Sequence, residues 1–224
     1  MLVHRTETPH ESMAATSSLA MESEMLTAPA APCCHIEALL EIGPERLLEA
    51  HSFIKQRYAE EYQAVVMGFM PRLFALTDKD GQMLGVVGVR DAQLPLFLEC
   101  YLNEPIEAVI SQSIQQVVTR QSIVEVGQFA GNSAGATREM ICRLTALLYH
   151  AGYHWVVFTG TRALRNGFRR LGLLPTDLGP AEQHRLANSD PNHWGSYYQH
   201  QPRVQFGSIP QGFHALSHTR RGVQ

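Results

Sequence analysis

Two spacings of apolar residues alternate along the chain, one of about two residues and one of about 3.6, and each change marks an element. His35 to Ile42 is a short apolar run that predicts a strand. Gly43-Pro44 then opens a helical pattern through Leu47, Leu48, Phe53, Ile54 and Tyr58, with Pro44 suited to a first turn. Arg72 to Thr77 and Gln82 to Arg90 are β-type runs around Asp78-Lys79-Asp80-Gly81, whose Asp-Gly predicts a hairpin because Gly accepts a positive φ. A third apolar run, Leu96 to Leu102, predicts further extended chain. A helix is expected from Pro105 to about Thr119, carrying Ile106, Val109, Ile110, Ile114 and Val117.

Ser122 to Ala130 predicts a buried strand that runs into the small-residue loop Gly131 to Thr137 and then a helix, with Met140, Leu144, Leu147, Leu148 and Ala151 on one face and Gly152 as its stop. Tyr153 to Thr159 predicts a second buried strand. A helix follows with Leu164, Phe168 and Leu171 at i, i+4 and i+7, closed by Gly172, and the chain is extended again from Leu173 and at Val204 to Phe206. The order strand, loop, helix, strand, helix, strand predicts an α/β (α+β) domain.

Residues 1 to 34 hold Ala, Ser, Thr, Met, Glu and Pro without an apolar period, and are expected to form a flexible leader. A single domain is then expected over residues 35–210, with a C-terminal tail at 211–224. With 45% hydrophobic and 17% charged residues the 224-residue chain has the makings of an ordinary packed core. Its 18 basic and 21 acidic residues exclude a general nucleic-acid binder but leave room for a local basic patch. Cys33, Cys34, Cys100 and Cys142 make neither a disulfide framework nor a CxxC pair, and read as reduced thiols. No run reaches the roughly 18 apolar residues of a membrane span, and no signal-peptide h-region precedes the domain, so a cytoplasmic protein is expected.

A strand that ends in a small-residue loop at a helix start offers unpaired backbone N–H groups and the positive end of a helix dipole, which suits a phosphate; the alternative is a tight turn without a ligand. The segment is neither a P-loop nor GxGxxG. Arg162, Arg165 and Arg169 fall at i, i+3 and i+7, and Arg138 and Arg143 lie on the preceding helix; together they are either a basic rim for an anionic ligand or a solvated face.

The run Ile123-Val124-Glu125-Val126-Gly127-Gln128-Phe129-Ala130, its loop and helix, Trp155 to Thr159, the Arg-bearing helix and Leu171-Gly172-Leu173 together resemble the core of the GNAT acyltransferase superfamily. Gly68-Phe69-Met70-Pro71, Leu96 to Glu99 with Tyr101-Leu102, Val124 to Gly127, and Trp194-Gly195-Ser196-Tyr197-Tyr198 resemble the thermostable hemolysin family, over roughly residues 50 to 210. That name records a lytic phenotype. The resemblance implies a mixed, mostly antiparallel central sheet flanked by helices, related to the acyl-homoserine lactone synthases, which join an acyl thioester to an amine.

It further implies no bound cofactor and no metal. Acyl-coenzyme A or acyl carrier protein would be the co-substrate, and a small amine or amino acid the acceptor. Glu125 stands in the register of the synthases' strand Glu, where it would orient or deprotonate the acceptor; the alternative is a strand carboxylate satisfied by an Arg or a backbone donor. Gln128, Phe129, Ala130, Gly131, Gly135, Ala136, Thr137, Arg138, Arg162 and Arg165 would bind the donor, and Glu99, Phe158, Trp194 and Tyr197 would line the substrate pocket. Glu99 reads equally as an edge-strand acid, and Trp194, Tyr197 and Tyr198 form an aromatic cluster of a kind that is more often core packing. Three departures narrow these implications. Gln128 replaces the synthases' Arg, their aromatic N-terminus is not recognisable, and Phe168 stands where many GNAT enzymes keep a proton-donating Tyr. A membrane-active lytic protein and a silent acyl-thioester-binding module are the competing classes. The C-terminal histidines match no helix-borne metal pair such as HExxH.

Overall fold

The computed structural model describes residues 34–39, 43–187 and 190–221, all within the compact unit Cys34–Gln224. The expected leader lies outside the described residues except for Cys34, which already belongs to strand β1, Cys34–Ala38. Helix α1, Pro44–Tyr62, follows, starting with Pro at its first turn and ending at Gln63 in the left-handed region. β2, Arg72–Asp78, and β3, Met83–Asp91, form the expected hairpin, with Gly81 at φ 79° in its turn. Helix α2 is Ile106–Ile114, β4 Ile123–Gly131, helix α3 Ala134–His150, β5 Trp155–Gly160, helix α4 Arg162–Arg170, β6 Thr176–Pro180, β7 Arg203–Ser208 and helix α5 Ile209–Arg221.

The seven strands form one sheet in the order β1-β2-β3-β4-β5-β7-β6, antiparallel throughout except for the β4–β5 pair. This is the expected mixed, mostly antiparallel sheet. Alternation sorts the side chains to its two faces. Val124 and Val126 of β4 pack with Met140, Leu144 and Leu148 of α3 and Ile209 of α5. Ile123 turns the other way, toward Leu98, Ile106 and Ile110, while Ala50 and Ile54 of α1 cover Leu73, Ala75 and Val86 on the same side.

Four expectations need correction. Leu96 to Leu102 is not extended: Phe97–Tyr101 is a 3-10 turn, because Glu99 folds back to accept from Leu96 N at 3.2 Å and Glu125 accepts from Phe97 N and Leu98 N. The helix expected to reach Thr119 stops at Ile114, where Gln115 turns left-handed, so Val117 is 93% exposed and Val118 is buried in its place. Leu48, placed in the apolar stripe of α1, faces solvent, and Ala50 takes its role. Residues 211–221 of the expected tail belong to α5, which carries Leu216 into a cluster with Ile141 and Leu171, and the rest of the tail lies outside the described residues; the first residue of α5, Ile209, donates to the carbonyl of His154.

Candidate functional site

β4 and β5 stay together only from Ile123 opposite Trp155 to Val126 opposite Phe158. Beyond that point β5 continues along β7, with Thr159 opposite Val204, while β4 keeps only β3. A β-bulge drives the two apart. Gly127 pairs with Gly88 and Ala130 with Val86, so Gln128 and Phe129 together oppose Val87, and Gln128 takes φ 50°. An extra residue on one strand bends it and adds twist. A cavity of about 1440 Å³ occupies the opening and is lined from both faces of the sheet. On one side it meets Tyr58, Tyr62, Phe97 and Trp194, on the other Ile141, Leu148, Phe168 and Gly212.

Glu125 lies at the junction of the two sides. Strand alternation places it on the face of Ile123, it is 4% exposed, and it lines the cavity. Leu98 N donates to Oε1 at 3.0 Å and Phe97 N to Oε2 at 3.1 Å, while Arg90 Nη1, from the residue directly across on β3, is 4.0 Å from Oε2. Burial pushes its carboxyl above the usual carboxylate range, against the pull of the two N–H groups and Arg90. A carboxylate poised in this way can accept a proton nearer neutral pH than a surface Glu.

The loop after β4 starts α3 with Ser133 as its cap: Ser133 Oγ accepts from Ala136 N at 3.1 Å, and its carbonyl accepts from Thr137 N. The helix itself has no acceptor for the N–H groups of Ala134 and Gly135 in its first turn. Gly131, Gly135, Thr137 and Arg138 line the cavity here. Arg57 of α1, which sequence reading missed, also lines it and donates to the Gly131 carbonyl at 3.1 Å.

The candidate residues divide. Gln128, Phe129, Phe158, Trp194 and Tyr197 line the cavity with Glu125 and the loop. Ala130 and Ala136 are buried in core clusters and do not line it. Arg162 and Arg165 do not line it either; they donate to the side chain and backbone carbonyl of Gln201. Phe168 lines it and packs on Phe158 at 4.9 Å between ring centres.

Glu99 stands outside the cavity, in a polar clamp. Its oxygens accept from Arg120 at 2.6 and 2.9 Å and from Ile106 N at 3.0 Å, and Arg120 also reaches Glu107 at 2.6 Å. Burial raises the Glu99 carboxyl, but Arg120 and the N–H groups of Ile106 and Leu96 outweigh it and hold it below its usual value. Arg120→Gln is therefore expected to cost about 1–3 kcal/mol of stability. A depressed carboxylate stabilises above its unfolded pKa and loses that contribution as pH falls through the folded one. Thermal melts from neutral to acid pH should show the gap between parent and variant closing in acid.

Sequence reading marks Gly68-Phe69-Met70-Pro71 only as part of a resemblance and misses the strap that they complete, from Ala64 to Pro71 between α1 and β2. Val65 N donates to the His193 carbonyl at 2.7 Å. The Gln128 amide holds the strap from below: Oε1 accepts from Met70 N at 2.9 Å and Nε2 donates to the Gly68 carbonyl at 2.6 Å. A Cβ at Gly88 or Gly127 would meet the Met70 side chain at 2.7 or 2.9 Å, so the paired glycines form the seat for Met70. Phe69 stacks on His51 with 3.7 Å between ring centres. An aperiodic apolar run, Ala64-Val65-Val66-Met67-Gly68-Phe69-Met70, was the available signal.

A mixed sheet whose central parallel pair parts at a bulge, with a loop-to-helix start at the end of the parting strand, is a GNAT-like fold. Among solved structures the chain is similar to FeeM, an N-acyl amino acid synthase from uncultured soil microbes, at 12% identity and TM-score 0.55, over 83% of this chain and 95% of that one. It is also similar to the AHL synthase LasI (15%, TM-score 0.53, 79% and 89%) and to BjaI, a CoA-dependent acyl-homoserine lactone synthase (15%, 0.53, 85% and 89%). At these identities the likeness is one of fold. The chain belongs to the thermostable hemolysin family, whose sequence pattern matches it over residues 41–213. No curated protein matches it in sequence. Among the described residues, no helix is long and apolar enough to cross a membrane, and no group of three or more His, Cys, Asp or Glu could hold a metal ion.

Proposed function

We propose that the protein transfers an acyl group from a thioester, carried by coenzyme A or acyl carrier protein, to the nitrogen of a small amine. One observation carries this reading: a buried carboxylate, Glu125, lies where a cavity passes between the parted strands β4 and β5, beside the first turn of α3, whose leading N–H groups the helix itself does not pair.

The amine nitrogen attacks the thioester carbonyl carbon, an N–C bond forms, and the C–S bond breaks with the electron pair leaving on sulfur. The amine proton passes to Glu125, directly or through one water, and the thiolate takes up a proton from solvent, since Phe168 has none to give. Backbone N–H groups on the open side of β4 polarise the carbonyl oxygen, and alignment of the two reactants supplies much of the rate. Donor phosphates sit at the first turn of α3, with Arg138 beside them. The likeness to solved synthases supports the fold in which this chemistry is familiar.

The purified protein, incubated with an amine and either octanoyl-coenzyme A or octanoylated carrier protein, is expected to release free thiol and N-acyl amide in equal amounts, read by mass spectrometry. The donor that reacts identifies the carrier. A donor that binds and stays intact with every amine would make the protein a binding module. Release of dye from lipid vesicles by donor-free protein would favour direct lysis.

A further inference from the structure

Single large apolar side chains are commonly exposed on a folded surface, but several gathered along the rim of one cavity mark a place that a ligand or partner covers. Among the described residues seven are exposed, and four of these, Val65, Met67, Phe97 and Leu174, line the one cavity described above. Val65, Met67 and Phe97 are 57%, 72% and 45% exposed and belong to the strap and the 3-10 turn beside Glu125. Their exposure is built in. Val65 is tied to His193, Gly68 and Met70 are tied to Gln128, and Met70 is seated on Gly88 and Gly127, so the strap cannot fold its apolar residues inward. Phe97 is fixed by its N–H bond to Glu125 and by stacking on Trp194 at 5.9 Å.

The carboxylate that would take the amine proton and an exposed apolar rim thus share one turn of chain, since Phe97 touches the first and forms part of the second. We infer that the acceptor is an amphiphilic amine, its nitrogen at Glu125 and an apolar alkyl or aryl tail running out across Phe97, Val65 and Met67. This rests on the acyl-transfer reading and names its acceptor class. The unpartnered apolar surface is then completed by substrate, and a short polar amine leaves it wet.

The test uses the full chain and the n-alkylamines from propylamine to octylamine, which share one amine basicity and differ only in tail. With octanoyl-coenzyme A or octanoylated carrier protein, a tail half-buried on this open rim should raise kcat/KM about twofold per added CH2, against about fourfold for full burial, and roughly thirtyfold over the series, through KM. In the Val65→Ser/Met67→Ser variant the rise per CH2 should largely disappear. Binding to donor-free protein, followed by fluorescence of Trp194 in the cavity wall, should tighten with tail length in parallel.

Acylation with a flat dependence on tail length overturns the inference and leaves the acyl-transfer reading standing. Tail-dependent binding without acylation of any amine sinks the transfer reading and keeps the tail site. If the parent sediments with phosphatidylcholine vesicles, the variant does not, and the amine series is flat, the rim is a membrane-contact surface and the inference is wrong.

Discussion

Glu125→Gln is expected to lower acyl transfer by roughly 10²–10⁴-fold, because the amide keeps the shape of the side chain and loses its basicity. The change is not silent for the fold. Both oxygens of Glu125 accept backbone N–H bonds, from Leu98 and Phe97, and Gln presents one oxygen and one NH2 to these two donors. One N–H therefore loses its acceptor in a buried site, at about 1–3 kcal/mol, and the melting temperature should fall by several degrees. Circular dichroism below the melt separates the two effects: the variant is folded there and still fails to turn over. A folded variant with the parent's turnover would remove Glu125 from the chemistry. The parent's pH profile carries the same signature. Burial raises the Glu125 carboxyl, and the base works ionised, so kcat/KM should climb with pH through a value above the usual carboxylate range, and this limb should be missing in Glu125→Gln.

Gly195→Ala should be the most damaging single change in the aromatic wall of the cavity. Gly195 sits at φ 48°, ψ −124°, and a Cβ there would lie 2.1 Å from the Tyr62 carbonyl oxygen and 2.6 Å from that of Gln63. Backbone is on the receiving side, so no side chain can turn away. The close approach is what lets Ser196 N donate to Tyr62 O at 2.7 Å, which caps the end of α1 and brings Tyr197 edge-on to Tyr62 at 5.2 Å. Strain and forced separation together should cost on the order of 4 kcal/mol, a drop of roughly 10 °C in melting temperature. Because Trp194 leaves its place over Phe97, KM for the acceptor should rise more than kcat falls. A melting temperature within a degree of the parent would mean that the segment can shift as a body, and that the wall is not pinned here.

The elements whose patterns are strong and local, the β2–β3 hairpin with Asp-Gly, the strand and loop from Ser122 to Thr137 and the α3 helix, are legible in the chain alone. Each is decided by alternation, by a turn residue or by a stop signal within a dozen residues. The same local reading singles out Glu125, an acid set among Val124, Val126 and other apolar residues, where only a partnered carboxylate can be buried. It also marks Gly131 to Thr137 as a small-residue loop leading into a helix.

Local pattern fails where long-range bonds overrule it. Leu96 to Leu102 has the composition of a strand, yet Glu125, 27 and 28 residues away, accepts two of its N–H groups and bends it into a turn. Glu99, read as a pocket acid, is drawn into the clamp with Arg120. Arg162 and Arg165, read either as a basic rim or as a solvated face, stand outside the cavity and each donate a bond to Gln201. The parting of β4 from β5, the seat of Met70 on two glycines from different strands and the latch of Gln128 on the strap have no sequence signature of their own. Each depends on a register between segments dozens of residues apart, and register is chosen when the faces of the sheet are buried together. The chain alone nominates candidates such as Glu125 and the loop from Gly131; which of the candidates surround one cavity, and that its rim is apolar, is decided only by the packed sheet.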